Sequence, residues 1–139
     1  MELEQGLAVA RDHHQSTLVT IRSNGRPQLS NVLHAVFDDD TVRVSITTDR
    51  AKYANIRREP WVALHLNGEN FWSYVVLEGE ASLSEPARSP DDDTVEGLVE
   101  LYRALQGEHD DWDDYRRAMV SDERVLLTIR PSRAYGLVR

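Results

Sequence analysis

The stretch STLVTIRSNGRPQLSNVLHAVF, residues 16–37, decides the fold. Its arms, Ser16 to Arg22 and Gln28 to Phe37, are rich in apolar and β-branched residues. Between them stands Asn24-Gly25, the strongest short hairpin signal a sequence can carry, because Asn and Gly tolerate the positive φ that tight β-turns require. Working outward, Asp38-Asp39-Asp40 predicts the next turn. Thr41 to Thr47 then alternates Val42, Val44 and Ile46 with Arg43, Ser45 and Thr47, the period of a half-buried strand. Three antiparallel strands in a meander follow from these segments.

Upstream, residues 2–13 place Leu3, Leu7 and Ala10 at helical spacing, with acids early and Arg11, His13 and His14 late, as the helix dipole favours. Downstream, DRAKYANIRREP (49–60) predicts one to two helical turns with Tyr53 and Ile56 on one face, stopped by Pro60. Trp61 to Leu66 reads as a strand, Asn67-Gly68 as a turn, and Phe71 to Leu83 as a long strand with a bulge at Gly79. Ser89 as N-cap and Pro90 at the first helical position open a helix whose apolar face is Val95, Leu98, Val99, Tyr102 and Leu105. Gly107 ends it, and a second short helix runs from about Trp112 to Val120. Glu123 to Ile129 and Ala134 to Val138 close the chain as two strands separated by Pro131. The layout is mainly β with peripheral helices (α+β), consistent with a small closed or split barrel in one domain over residues 1–139.

Composition narrows the function. The 139 residues carry a net charge of −8, so binding to nucleic acid or to an anionic membrane is unfavourable and neither is expected as a partner. The acidity is local: residues 85–123 hold 13 acids and 4 bases, leaving 11 acids and 12 bases elsewhere. Of the 16 bases, Lys52 is the only lysine. The absence of cysteine excludes disulfides, thiolate nucleophiles and Cys-based zinc sites. With no basic leader at the start and no apolar run near the ~18 residues of a membrane span, the expected location is the cytoplasm.

Neither G-x-G-x-x-G nor a P-loop occurs, and no nucleophile elbow supports hydrolysis. The five histidines lack metal-ligand spacing, and Asp38 to Asp40 and Asp91 to Asp93 read as turn and helix-start acids, so no metal is expected. The informative segment is Thr47 to Arg58. Arg50, Lys52, Arg57 and Arg58, with Asn55, gather at the entrance of a short helix, where free backbone N–H groups and added cations make an anion site suited to a phosphate. On composition alone a solvated basic helix paired to nearby acids explains the segment better. Trp72 and Tyr74, placed on one strand face, could line a slot for a planar ligand or belong to core or interface. Gln28 and Ser30 share a face with Asn31 between them, and face either solvent or a ligand edge.

The segments GRPQLSNV (25–32), RVSITTDRAKYANIRREP (43–60), WSYVVLEGEASL (72–83), Pro90 to Pro131 and the closing AYG (134–136) resemble the pyridoxamine 5′-phosphate oxidase-like split β-barrel superfamily, a flavin-reductase-like, FMN-binding barrel. More narrowly they are similar to the actinobacterial deazaflavin (coenzyme F-420)-dependent oxidoreductases. The resemblance implies a homodimer with two cofactor sites at the subunit interface. It implies a cofactor phosphate on Arg50, Lys52 and Asn55, and a ring system against Gln28, Ser30, Asn31, Ser45 and Ile46. Trp72 and Tyr74 match aromatics near the same cleft, where the resemblance allows the partner subunit to contribute them.

The activity so implied is hydride transfer between coenzyme F-420 and a small organic acceptor, with Tyr74 or His34 as candidate proton donors and Arg57 or Arg58 near the exit of the cofactor's polyanionic tail. An FMN-dependent enzyme, such as a pyridoxamine phosphate oxidase or flavin reductase, is the alternative. A noncatalytic cofactor-binding or storage protein is a second. For the phosphate oxidase, Arg130 and Arg133 would have to supply a separate substrate-phosphate site, and they read instead as exposed strand-end residues.

Overall fold

The structure, a computed structural model, describes residues 1–139. The helix α1 (Leu3–Asp12) precedes β1 (Gln15–Ile21), β2 (Pro27–Leu33), β3 (Ala35–Val36) and β4 (Val42–Thr47). Then come α2 (Ala51–Arg58), β5 (Trp61–Asn67), β6 (Tyr74–Leu83), α3 (Asp93–Gln106), α4 (Trp112–Ser121) and β7 (Arg124–Leu137). The seven strands form one antiparallel sheet in the order β2-β1-β5-β6-β7-β4-β3, the curled, mostly-strand half-barrel expected for this fold class.

Alternation fixes which face is inside. Leu18, Leu64, Leu77 and Ala134 stand opposite one another across β1, β5, β6 and β7, all buried. With Val42, Val44, Ile46 and the β7 residues Val125, Leu127 and Ile129 they form the main core, closed at one end by Leu7 and Ala10 of α1. Each Val, Leu or Ile side chain so withdrawn from water contributes roughly 1.5–3 kcal/mol. A second, smaller core joins Val95, Leu98 and Val99 of α3 to Met119 of α4. Gly97 lets α3 lie flat on β7, since a Cβ there would come within 2.7 Å of Leu126 Cδ2.

Four elements depart from the sequence expectation. The arm Gln28 to Phe37 is not one strand but β2 and β3, broken at His34. That residue is fully buried: its backbone N–H still donates to the His14 carbonyl (2.8 Å), while its ring Nε2–H donates to the Ala10 carbonyl (3.0 Å), so Nδ1 accepts from Ser16 Oγ (2.8 Å). The break carries the chain from one edge of the sheet to the other.

Conversely, the two closing strands are one, because Pro131 sits where the ladder needs no donor. The register slips between Glu78 and Gly79, leaving Ser132 as the extra residue opposite. The bulge expected at Gly79 is therefore present, and a Cβ there would lie 2.2 Å from the Arg130 carbonyl oxygen.

The N-cap of α3 is Asp92 rather than Ser89. Its carboxylate accepts from the N–H groups of Val95, Arg88 and Ser89 at 2.8–3.1 Å, which a serine hydroxyl could not do alone. Finally, β6 begins at Tyr74 and not at Phe71. Asn70 Oδ1 accepts from the Trp72 and Ser73 N–H groups, an Asx-turn that holds Phe71 and Trp72 in the connection.

Candidate functional site

The principal cleft, of about 610 Å³, opens between β2 and β4 on one side and the α3–α4 pair on the other. Its size is within the roughly 300–1,000 Å³ usual for small-molecule sites. The strand wall presents Ser30 and Asn31 of β2 with Ser45 and Ile46 of β4, and α2 delivers Arg50 and Lys52 to one end. Six residues expected to meet a ligand are thus brought together by strands and a helix far apart in sequence.

The remaining four lie elsewhere. Gln28 is half-buried on β2, outside the cleft wall. Asn55 is buried and its Nδ2 donates to Thr20 Oγ1 at 3.1 Å, tying α2 to β1. Trp72 is 67% exposed in the turn before β6, packed edge-to-face on Phe71. Tyr74 stacks on His65 with ring centroids 5.6 Å apart, on the outer face of the sheet. His34, with no exposed surface and both ring nitrogens engaged, reaches no cleft and is not placed to donate a proton to a ligand.

The cation end is where the electrostatics decide. Arg50 occupies the N-cap of α2, whose first turn contains no acid. Arg124, at the start of β7, enters the same wall; its terminal amine donates to Ser45 Oγ at 3.3 Å, while its buried Nε has no partner. Lys52 Nζ donates to Ser30 Oγ at 3.3 Å. Burial lowers the pKa of Lys52, and the neighbouring Arg50 and Arg124 cations lower it further. None of the three forms an ion pair, so the reading as a basic helix neutralised by acids does not hold for them. It suits Arg57 and Arg58 no better: Arg57 lies over the Tyr53 ring, and Arg58 bonds the Ile21 carbonyl and Asn55 Oδ1.

Like charges held together, one donor buried without an acceptor, and an adjacent helix N-terminus form a preorganised seat for an oxyanion such as a phosphate. Arg124 was invisible in the sequence because it lies far along the chain from Arg50 and Lys52 and meets them only through the β4–β7 pairing, in which Thr47 faces Arg124. The facing wall was equally hidden. Leu101, Tyr102, Leu105, Gln106, Tyr115 and Met119 supply it, and their apolar spacing reads as helix core.

The sheet has a second open surface. On the face away from the core, Leu29, Leu33, Tyr135 and Leu137 are each more than two-fifths exposed. A shallower groove of about 460 Å³ runs there between β2, β1 and β5, and Asn31, Val32 and Leu33 border both this groove and the cleft. No helix is long and apolar enough to cross a membrane, and no cluster of three or more His, Asp or Glu side chains is arranged to hold a metal ion.

Comparison with known proteins places this geometry. The profile of the family described as Pyridoxamine 5′-phosphate oxidase matches residues 3–137. Among solved structures, a conserved hypothetical protein from Mycobacterium tuberculosis superposes with a TM-score of 0.73 at 22% identity, over 96% of this chain and 82% of that one. An F420 reductase superposes at 0.68 and 23% identity, over 92% and 94%. HutZ, the heme storage protein from Vibrio cholerae, superposes at 0.69 and 16% identity, over 98% and 95%. Likeness at these identities shows the fold.

Proposed function

The chain belongs to the pyridoxamine 5′-phosphate oxidase family, and from that premise we propose that it is an oxidoreductase whose cleft holds coenzyme F-420 and serves hydride transfer to or from a small organic acceptor. The observation that carries the reading is the trio Arg50, Lys52 and Arg124, free of ion pairs, with the buried, unpartnered Nε of Arg124, at one end of a cleft of about 610 Å³. That an F420 reductase shares this fold is in keeping with a deazaflavin cofactor.

In this reading Arg50, Lys52 and Arg124 hold the phosphate, and Ser30, Asn31 and Ser45 offer hydrogen bonds to the ring edge. The cofactor, when bound, supplies the hydride chemistry. The chain's own residues orient the ring against the β4 strand at Ser45 and Ile46, exclude water with the apolar helix wall, and leave one side open for the acceptor. No protein nucleophile is needed.

The protein works as a homodimer in this proposal. The exposed apolar side chains of the outer sheet face are continuous with the cleft through Asn31 to Leu33, so a second copy seated there would complete the site. Trp72 and Tyr74, absent from the chain's own cleft, are then available to the partner's.

The deciding experiment is equilibrium binding of coenzyme F-420 and FMN side by side, followed by oxidation of the bound, reduced cofactor by a panel of organic acceptors. Preferential binding of the deazaflavin with turnover is expected. Preferential FMN binding would move the protein to the flavin branch of the family, and tight binding without turnover would make it a carrier.

A further inference from the structure

We propose that the α3–α4 wall of the cleft selects the acceptor, and that it selects a planar molecule without negative charge, held through the hydroxyl of Tyr102. This rests on the reading of the opposite end as the seat of the cofactor phosphate.

The six side chains that α3 and α4 turn to the cleft include no charged group. The segment that carries them, residues 85–123, has nine more acids than bases, and each of its four bases is already committed to a carboxylate: Arg88 to Glu85, Arg103 to Glu108, Arg116 to Glu96 and Arg117 to Asp114. An anionic acceptor on this side would lose hydration against a wall with no free cation and an acidic field behind it. A neutral one meets apolar surface.

Within that surface Tyr102 is set apart. Its ring is held by Tyr115 at 5.0 Å, His109 at 5.1 Å and Trp112 at 5.5 Å between centroids, so its direction is fixed by packing. The Tyr115 hydroxyl is used up, donating to the Leu98 carbonyl at 3.1 Å. Tyr102 borders the cleft with a hydroxyl that makes no bond within the protein, and Gln106 does so with an amide that makes none. An apolar wall with two free polar groups fits a flat molecule bearing a carbonyl or amide.

The test uses methyl 2-naphthoate and its carboxylate, 2-naphthoate, as a neutral and anionic pair of nearly one shape. Binding is measured calorimetrically with the cation end filled by whichever of F-420 or FMN binds, or by inorganic phosphate if neither does. The ester should bind at least about tenfold more tightly than the carboxylate. Tyr102→Phe should lose several-fold of the ester affinity, a larger factor than any it loses for the cofactor, and Tyr102→Ala about tenfold or more of the ester affinity. Leu105→Lys, which adds the missing cation to the half-buried rim, should shift preference toward the carboxylate. Equal binding of ester and carboxylate by the wild-type protein, or unchanged selectivity in Leu105→Lys, overturns the proposal. So does a Tyr102→Phe variant that weakens cofactor and ester alike. Failure of both cofactors to bind would overturn the proposed function while the ester preference is still read on the phosphate-filled protein.

Discussion

Lys52 Nζ donates to Ser30 Oγ at 3.3 Å, a bond that joins α2 to the edge strand β2 across the end of the cleft. A partly buried ammonium with a hydroxyl for its only protein acceptor, beside two guanidinium groups, retains donors for an anion. Lys52→Met is expected to weaken a phosphate-bearing cofactor about ten- to a hundredfold, the worth of a charge-assisted hydrogen bond. Fluorescence titration measures it. Arg57→Gln, which removes a cation lying over the Tyr53 ring outside the cleft, should leave the affinity within about twofold. An equal loss in both variants would mean that general positive charge, and not a built site, attracts the ligand.

Arg124 should show the opposite sign in stability and in binding. Its Nε is buried without an acceptor, and it lies near the Lys52 and Arg50 cations without an ion pair of its own. Arg124→Met reaches only as far as the Nε position, giving up the bond to Ser45 Oγ, and removes both penalties, so the empty protein should melt higher by about 2–5 °C. The rise in Tm on adding inorganic phosphate should shrink at the same time. A variant that melts lower and still gains the full phosphate increment would show that Arg124 is structural.

These contrasts mark where the sequence could be read and where it could not. Arg50 and Lys52 were legible because one turn of α2 brings them together, and local clustering needs no tertiary knowledge. Val42, Val44 and Ile46 were legible as core because a two-residue period leaves no other choice. Asn55 offered no local sign that its amide is taken by Thr20, which reaches it from a strand 35 residues earlier. The apolar stripe of α3 reads as core, and Val95, Leu98 and Val99 are core, yet Tyr102 and Leu105 of the same stripe run on past the sheet to form a cleft wall. Periodicity identifies the apolar side of a helix and is silent on whether protein or a ligand will cover each part of it. His34 shows the reverse case, a polar residue in an apolar strand whose partners, Ala10 and Ser16, are set by the helix and strand before it.

The buried His34 ring also sets an acid limit on stability. Burial lowers its pKa from 6.5, with His14 and His13 nearby adding cationic repulsion against the bond to the Ala10 carbonyl. Below pH 6.5 the unfolded chain takes up a proton on this residue that the folded chain does not, so stability falls as pH drops from 6.5 toward the depressed folded value and is fully present above 6.5. In thermal melts the wild-type Tm should therefore decline between pH 6.5 and about pH 5 more steeply than that of His34→Gln, an uncharged replacement for the imidazole. Parallel slopes would assign the acid sensitivity to other groups.

The last prediction concerns the outer face of the sheet. Leu33 is 46% exposed at the end of edge strand β2, in line with Leu29, and both Leu33 and its neighbour Asn31 border the cleft as well as the outer groove. An edge strand with exposed leucines is a surface that proteins ordinarily cover. Leu33→Asp places a charge on that surface without touching the main core. Sedimentation equilibrium should find the wild-type protein at twice the 15.9 kDa chain mass and the variant at the chain mass. Because the residues that would meet the partner also line the cleft, cofactor affinity should fall together with the dimer and recover as protein concentration is raised. A wild-type protein that sediments as a monomer would remove the partner from the site, and Trp72 and Tyr74 with it. A monomeric Leu33→Asp variant that binds cofactor as tightly as wild type would separate assembly from binding.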